Sequence, residues 1–252
     1  MNVRAVPHPV FRRIRGGNTF EETVERLLQA IKLGQVRPGD RLPSERELAL
    51  RLGISRVTLR EAIRVLAQEG FLESRRGRAG GTFVLPTADW RDTRDVRTLV
   101  GDLATELTDA LLLRQVLEPG AVELAARRTH PPDKVSMLRE MLAEEQAVAV
   151  TDYRPIDSRF HVALADLAGS PSLTAAVADV RMRLNDLLDL IPLLPPNIEH
   201  STQQHSRVVD AVLSGNAKAA RQAMEKHLDG TAALLRGFLL LTGRSTPGRM
   251  GA

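Results

Sequence analysis

The punctuation between Ser44 and Gly70 constrains this chain more than any other feature. Ser44 stands three residues before Glu47, the spacing of a capping box, in which each side chain can satisfy the other residue's free backbone N–H. The helix opened there, "ERELALRLG", ends at Gly53, a residue suited to a helix stop. Ser55 then caps another helix, which reads to about Glu69 and stops at Gly70. Two short helices joined through a glycine turn have the layout of a helix-turn-helix.

The flanks complete the unit. A helix reads from about Thr19 to Leu33, with Phe20, Val24, Leu27, Leu28 and Ile31 on one face. The Gly- and Pro-rich loop "GQVRPGDRLPS" follows it. After Gly70, Phe71-Leu72 and Thr82-Phe83-Val84 look like two short strands around the basic loop "RRGRAGG". Three helices and a hairpin predict a winged helix-turn-helix over residues 18–86. Residues 1–17 are expected to be a flexible basic arm and 87–95 a linker. Beyond them every strongly periodic segment is helical: 96–128, with a possible break near Gly101, then 131–149, 153–168, 171–191, 198–214 and 216–241. Pro131, Pro132, Pro171, "PLLPPN" and Gly215 supply the breaks. The expected fold is mostly α: the winged unit, an antiparallel bundle of six or seven helices over 96–243, and a flexible tail over 244–252.

Composition excludes several classes. Aromatics are only 3%, so the core must be aliphatic, and there is no cysteine for disulfides, zinc ribbons or thiol nucleophiles. No apolar run reaches the roughly 18 residues that a membrane span needs, so no membrane partner is expected. The start, "MNVRAVPHPVFRRIRGG", has no apolar core of a secretory signal, and a cytoplasmic protein is the simplest reading. Residues 1–86 carry 16 Lys+Arg against 9 Asp+Glu, or +7; residues 87–252 carry 19 against 22, or −3; together they give the chain's +4. Such asymmetry points the first third toward a polyanion, although a solvated basic surface would show the same charge.

In a helix-turn-helix the second helix enters the major groove with its N-terminal residues at the base edges. Ser55, Arg56, Thr58 and Arg60 stand there. Arg offers a bidentate fork to guanine, and the hydroxyls can serve bases or phosphates. Arg46 on the preceding helix is placed for the backbone or a nearby base, and Arg76, Gly77 and Arg78 of the wing for the minor groove. Each arginine alone is better explained by solvation of a small domain. Cap, turn, basic leading edge and basic wing together favour DNA.

The segment "RPGDRLPSERELALRLGISRVTLREAIRVLAQEGFLESRRGRAGGTFV", residues 37–84, resembles the DNA-binding domain of the GntR family of bacterial transcription regulators. The resemblance implies that Arg46, Ser55, Arg56, Thr58, Arg60 and Gly77 contact operator DNA, with Arg76 and Arg78 beside them.

In the helical part, Asp157 and His161 lie four apart and share one helix face. His205 and His227 adjoin apolar stripes on two later helices. Three imidazoles and a carboxylate turned into a bundle would suit Zn²⁺, Ni²⁺ or a similar ion. By spacing alone they are better read as hydrogen-bonded core residues than as ligands. "LLRQVLEPGAVELAARR", "DSRFHVALADLAGSP" and "HSRVVDAVLSGNAKAARQAMEKHL" resemble, in order, the FCD effector domain of the FadR-like branch of that family. The resemblance implies a divalent metal, Zn or Ni, on Asp157, His161, His205 and His227. It also implies a small carboxylate effector held by Arg114, and argues against an acyl thioester. Arg114 has a plainer alternative, pairing with Glu118 one helical turn on. Ser170 stands where the family usually has Asn, a change expected at a helix junction. His200 matches no ligand position and is read as surface.

The expected function is that of a ligand-responsive regulator, taken as a repressor, binding palindromic operator DNA as a homodimer. The rival is a metal-dependent enzyme in which the four ligands activate water and the basic domain tethers it to DNA. The absence of an HExxH motif, and of a second carboxylate nearby with an obvious general-base role, weighs against the rival.

Overall fold

The computed structural model describes residues 11, 13–14, 17–32, 36–77, 80–85 and 94–239, the side chains of 94–103 excepted. Within them the helices are α1 (Thr19–Lys32), α2 (Glu45–Leu52), α3 (Arg56–Gln68), α4 (Arg94–Ala126), α5 (Pro132–Ala147), α6 (Tyr153–Asp166), α7 (Pro171–Leu188), α8 (Pro195–Leu213) and α9 (Ala217–Leu239). The strands β1 (Leu72–Arg75) and β2 (Gly81–Val84) pair antiparallel, Leu72 opposite Val84 and Arg75 opposite Gly81. The chain is mostly α, with the hairpin directly after the helix-turn-helix.

It divides into two compact units: Met1–Ile14, Thr23–Thr105 and Arg236–Ala252 form one, and Arg15–Glu22 with Glu106–Leu235 the other. In the first, Val24, Leu27, Leu28 and Ile31 of α1 are buried, as are Leu48, Ala49 and Leu52 of α2, Leu59, Ala62, Ile63 and Leu66 of α3, and Leu72 and Val84 of the hairpin. A third stretch edges the hairpin: the Leu42 N–H donates to the Thr82 carbonyl at 2.8 Å and the Val84 N–H to the Asp40 carbonyl at 3.0 Å. Of the amino-terminal arm, Phe11 and Ile14 are buried, and the Ile14 N–H donates to the Leu52 carbonyl at 2.8 Å. At the other end, Phe71 and Phe238 meet edge to face, centroids 6.1 Å apart. The last turn of α9 therefore belongs to this unit.

The turn between α2 and α3 forms as its residues dictate. The Ser44 hydroxyl accepts from the Glu47 N–H at 3.3 Å, and Gly53 takes the left-handed conformation, φ 71°, that ends α2 at little cost. Only this half of the expected capping box forms. The Glu47 carboxylate turns instead to Arg51, 2.5 Å away and one turn along the helix.

In the second unit, Val122, Leu138, Phe160, Leu164, Val208, Val212, Met224 and Leu228 make one core from α4, α5, α6, α8 and α9. Several helix ends shift by up to three residues, α7 stopping at Leu188 rather than at 191, and two differences have a plain cause. α4 is unbroken at Gly101, because one glycine costs about 1 kcal/mol, too little to end a long helix. α8 begins at Pro195, since proline at a first helical position gives up an N–H that has no helical partner anyway. Among the described residues no helix is long and apolar enough to cross a membrane.

Candidate nucleic-acid interface and metal centre

α3 begins where the Ser55 hydroxyl accepts from the Thr58 N–H at 3.0 Å and meets the Thr58 hydroxyl at 2.9 Å. Ser55, Arg56 and Arg60 are exposed at this end, with Arg46 exposed on α2, while Thr58 is half-buried. Glu45 organises the group. Its Oε2 lies 2.6 Å from Arg60 Nε and 3.9 Å from Arg56 Nη2, so one carboxylate of α2 orients both arginines of α3. Sequence reasoning missed Glu45, whose neighbours lie in the next helix. In the wing, Arg76 and Gly77 are exposed, and Gly77 has φ 98°, which a side chain would oppose. The Arg75 guanidinium stacks on Phe83, 4.5 Å from the ring centroid. Arg78 lies outside the described residues.

The four ligand candidates of the bundle come together. Asp157, His161, His205 and His227 are all buried, and one potential ligand atom from each lies within 4.8 Å of the others. His227 Nε2 is 3.2 Å from both His161 Nε2 and His205 Nε2. Asp157 Oδ1 is 3.7 Å from His161 Nε2 and 3.6 Å from His205 Nε2.

Each imidazole has an acceptor near its Nδ1, although His161 Nδ1 and Glu118 Oε2 meet outside hydrogen-bond geometry. His161 Nδ1 lies 2.5 Å from Glu118 Oε2, His205 Nδ1 2.9 Å from Glu145 Oε2, and His227 Nδ1 3.2 Å from Gln204 Oε1. An acceptor behind the ring places the proton on Nδ1 and leaves Nε2 a bare lone pair. Three such lone pairs and a carboxylate oxygen converging in a buried site repel one another unless positive charge stands between them. Burial, reinforced by His205 and His161, keeps His227 well below its usual pKa, so its ring is neutral and able to ligate. Burial alone would push the Asp157 carboxyl up, but the Arg181 guanidinium beside it holds it well below the usual range. The residues therefore fit a divalent cation, with the outer hydrogen bonds that orient imidazole ligands.

Two arginines lie beside the group. Arg114 is buried and takes the plainer alternative, donating from Nε to Glu118 Oε1 at 2.7 Å. It also stands at the centre, its Nη2 3.5 Å from His161 Nε2, and its Nη1 has no hydrogen-bond partner. Arg181, fully buried on α7, donates to Asp157 Oδ2 and leaves Nε and Nη1 without partners. A cavity of about 40 Å³ adjoins Asp157, lined by Tyr153, Ile191, Leu194, Ile198 and Ser201 among others. Glu118 entered the sequence reading only as a helix neighbour of Arg114; Glu145, Arg181 and Gln204 did not enter it. Ser170 caps α7, accepting from the Leu173 N–H at 3.4 Å, in keeping with a role at a helix junction. His200 is not free surface: it is half-buried, with Nδ1 2.8 Å from Glu21 Oε1.

Comparison with known proteins adds family matches to this geometry. Residues 19–84 match the family described as bacterial regulatory proteins, gntR family, and residues 109–230 match the FCD domain. A candidate L-lactate dehydrogenase operon regulatory protein of Escherichia coli strain K12 is 33% identical over 219 residues, covering 82% of this chain and 83% of its own length. The Glc operon transcriptional activator of the same strain is 28% identical over 217 residues, covering 82% and 84%. Among solved structures, Streptococcus agalactiae GntR is 28% identical, covers 84% of this chain and 98% of its own, and superposes with a TM-score of 0.46.

Proposed function

Because the chain belongs to the gntR family of bacterial regulatory proteins and carries an FCD domain, it is a transcription regulator and not an enzyme, and we propose the rest of its mechanism as follows. It acts in the cytoplasm as a homodimeric repressor whose helical unit binds a divalent metal, Zn²⁺ or Ni²⁺, and a small carboxylate effector. The DNA-binding part is the winged unit of residues 18–86, and the effector domain spans 96–243. Arg56 and Arg60, steered by Glu45, read bases with Ser55 and Thr58. Arg46, Arg76, Gly77 and Arg78 hold the backbone and minor groove.

The observation that carries the metal assignment is the convergence of three imidazole Nε2 atoms, each ring with an acceptor behind its Nδ1. Asp157, His161, His205 and His227 would hold the ion, which, when bound, supplies a positive centre with open positions for a carboxylate. Around it this chain's residues set the charge. Arg114 and Arg181 with a divalent cation outweigh Asp157, Glu118 and Glu145 by one unit, which a single carboxylate ligand cancels. Arg114 Nη1 is a ready donor for that carboxylate.

The homodimer rests on α4 and α7. Leu112 is 63% exposed, Val116 65% and Met182 69%, and the first two lie one turn apart. Arg183, the residue after Met182, donates from Nη2 to Asp109 on α4 at 2.8 Å, so an ion pair joins the two helices beside these side chains. Two copies bring two α3 helices to half-sites about one DNA turn apart.

Elemental analysis of tag-free protein beside the His161→Ala, His205→Ala double variant tests the metal centre. About one divalent ion per chain, lost in the variant, is the expected result. No metal in the native protein after incubation with Zn²⁺ or Ni²⁺ would leave the cluster a purely structural one.

A further inference from the structure

A buried line of polar side chains leaves the candidate metal centre and ends at the first turn of α1. His227 Nδ1 is 3.2 Å from Gln204 Oε1, Gln204 Nε2 donates to Asn18 Oδ1 at 2.7 Å, and Asn18 Nδ2 donates to the Lys226 carbonyl at 2.6 Å. Asn18 is 3% exposed, Gln204 4% and His227 2%, so water cannot replace a lost partner. The carbonyl of Asn18 accepts the Glu22 N–H at 2.9 Å and so closes the start of α1. A side branch reaches the same turn: Gln204 Nε2 is 3.4 Å from His200 Nε2, and His200 Nδ1 is 2.8 Å from Glu21 Oε1.

The line has a direction. The Lys226 carbonyl can only accept, so Asn18 must offer it Nδ2 and turn Oδ1 to Gln204. Gln204 must then offer Nε2 to Asn18 and Oε1 to His227, and His227 must carry its proton on Nδ1. The side branch agrees, because the two amide hydrogens of Gln204 have two acceptors, Asn18 Oδ1 and His200 Nε2. That His227 tautomer is the one with a free Nε2. Without a cation, the His227 proton has an alternative place on Nε2, facing a neighbouring imidazole at 3.2 Å. Nδ1 would then face Gln204 Oε1, acceptor against acceptor. Turning the Gln204 amide moves the conflict to Asn18, and turning the Asn18 amide moves it to the Lys226 carbonyl, so one link must break.

We propose that Gln204 and Asn18 are positioning residues that couple occupation of the metal centre to the order of the first turn of α1. The inference rests on the metal assignment above. Its consequence for DNA lies in α1 itself: residues 15–22 belong to the effector unit, and from Thr23 the same helix belongs to the DNA-binding unit. A change at Asn18 therefore acts on a helix that both units share, and a two-state element of this kind can carry coupling between sites.

Amide hydrogen exchange on full-length protein, stripped with a chelator and then given one equivalent of Zn²⁺, tests the coupling, with metal uptake measured on the same samples. In the native chain, Zn²⁺ is expected to slow exchange at the start of α1, at the Glu22 N–H foremost, by about fivefold or more. Gln204→Glu keeps an acceptor for His227 but cannot donate to Asn18. It should take up Zn²⁺ and show no Zn²⁺-dependent slowing in α1. Asn18→Asp, which sets a carboxylate against the Lys226 carbonyl, should behave the same way. A merely structural role would change exchange equally with and without metal, so the difference between the two states is the readout. Uptake of metal by the native chain with α1 unchanged would overturn the coupling alone, as would slowing that persists in both variants. No uptake by the native chain would remove the metal assignment, and the coupling with it.

Discussion

Glu145 offers a sharp test of how the candidate metal centre is built. Its side chain is fully buried, and Oε2 lies 2.9 Å from His205 Nδ1. If that contact fixes the His205 tautomer, replacing Glu145 with Leu should weaken metal binding about 10–100-fold, the usual effect of losing an outer partner of a ligating imidazole. At 1.36 kcal/mol per decade this is about 1.4–2.7 kcal/mol. The variant leaves the His205 Nδ1–H buried without an acceptor, at a cost of about 1–3 kcal/mol, so its melting temperature is measured beside its affinity. Glu145→Gln keeps an acceptor in place and loses only the charge, so its loss should be the smaller of the two. Glu144→Gln is the control: that neighbour is exposed and paired with Arg159, and should bind metal as the native chain does. Competition against a chelating dye gives all the affinities. Native affinity in the Leu variant, or an equal loss in the Glu144 variant, would refute the reasoning.

Chelation should lower the melting temperature of metal-loaded protein, because a ligand at about 100 times its Kd stabilises by about 2.7 kcal/mol; calorimetry showing no shift would count against a structural link between ion and fold. Ser55→Ala removes the acceptor that caps α3 and should cost about 1 kcal/mol, read from denaturant melts. Arg56→Ala should relax base preference at one position, a loss of about 1–3 kcal/mol against a randomised DNA pool, whereas Arg76→Ala should weaken all sequences alike and lower the salt slope by about 1. Equal losses on every DNA in both variants would remove the distinction between reading and holding. Phe160→Ala empties a fully buried site at the centre of the bundle core and should cost about 3–5 kcal/mol in the same melts.

The fold was legible where local chemistry decides it. Ser44, Gly53 and Ser55 each act within one helical turn of themselves, so α2 and α3 begin and end where their sequences say. Boundaries failed where a local signal was too weak, as at Gly101, or had two readings, as at Pro195, a breaker before a helix and an opener at its first turn. Asp157 and His161 were visible as a pair because helical spacing alone puts them on one face. The outer partners were not, because nothing near them in sequence separates them from their neighbours. Glu144 and Glu145 are adjacent and identical in type, yet one reaches exposed Arg159 and the other buried His205. Arg181 and Arg183 are two residues apart on α7, which turns them to opposite sides, one to Asp157 and the other to Asp109. Which glutamate and which arginine face inward depends on how the helices pack, and spacing along one helix does not contain that.

The energetics of the buried cluster separate a functional reading from a structural one. Arg114, Arg181, Glu118, Glu145, Asp157 and three imidazoles lie buried next to Phe160, whose ring centroid is 4.4 Å from that of His205. Burying a charge costs several kcal/mol, and pairing in the interior only partly offsets it, so apolar side chains of the same volume would make at least as stable a bundle. The pairing is also incomplete: Arg114 Nη1, Arg181 Nε and Nη1, Glu118 Oε2, Glu145 Oε1 and His161 Nδ1 have no hydrogen-bond partner. Donors buried without acceptors are among the least economical features a core can hold. A cluster selected for stability would have closed these contacts or discarded the charges. An ion held by the three Nε2 atoms and Asp157, with an anion against the two arginines, would remove the repulsion and give the unused donors an acceptor.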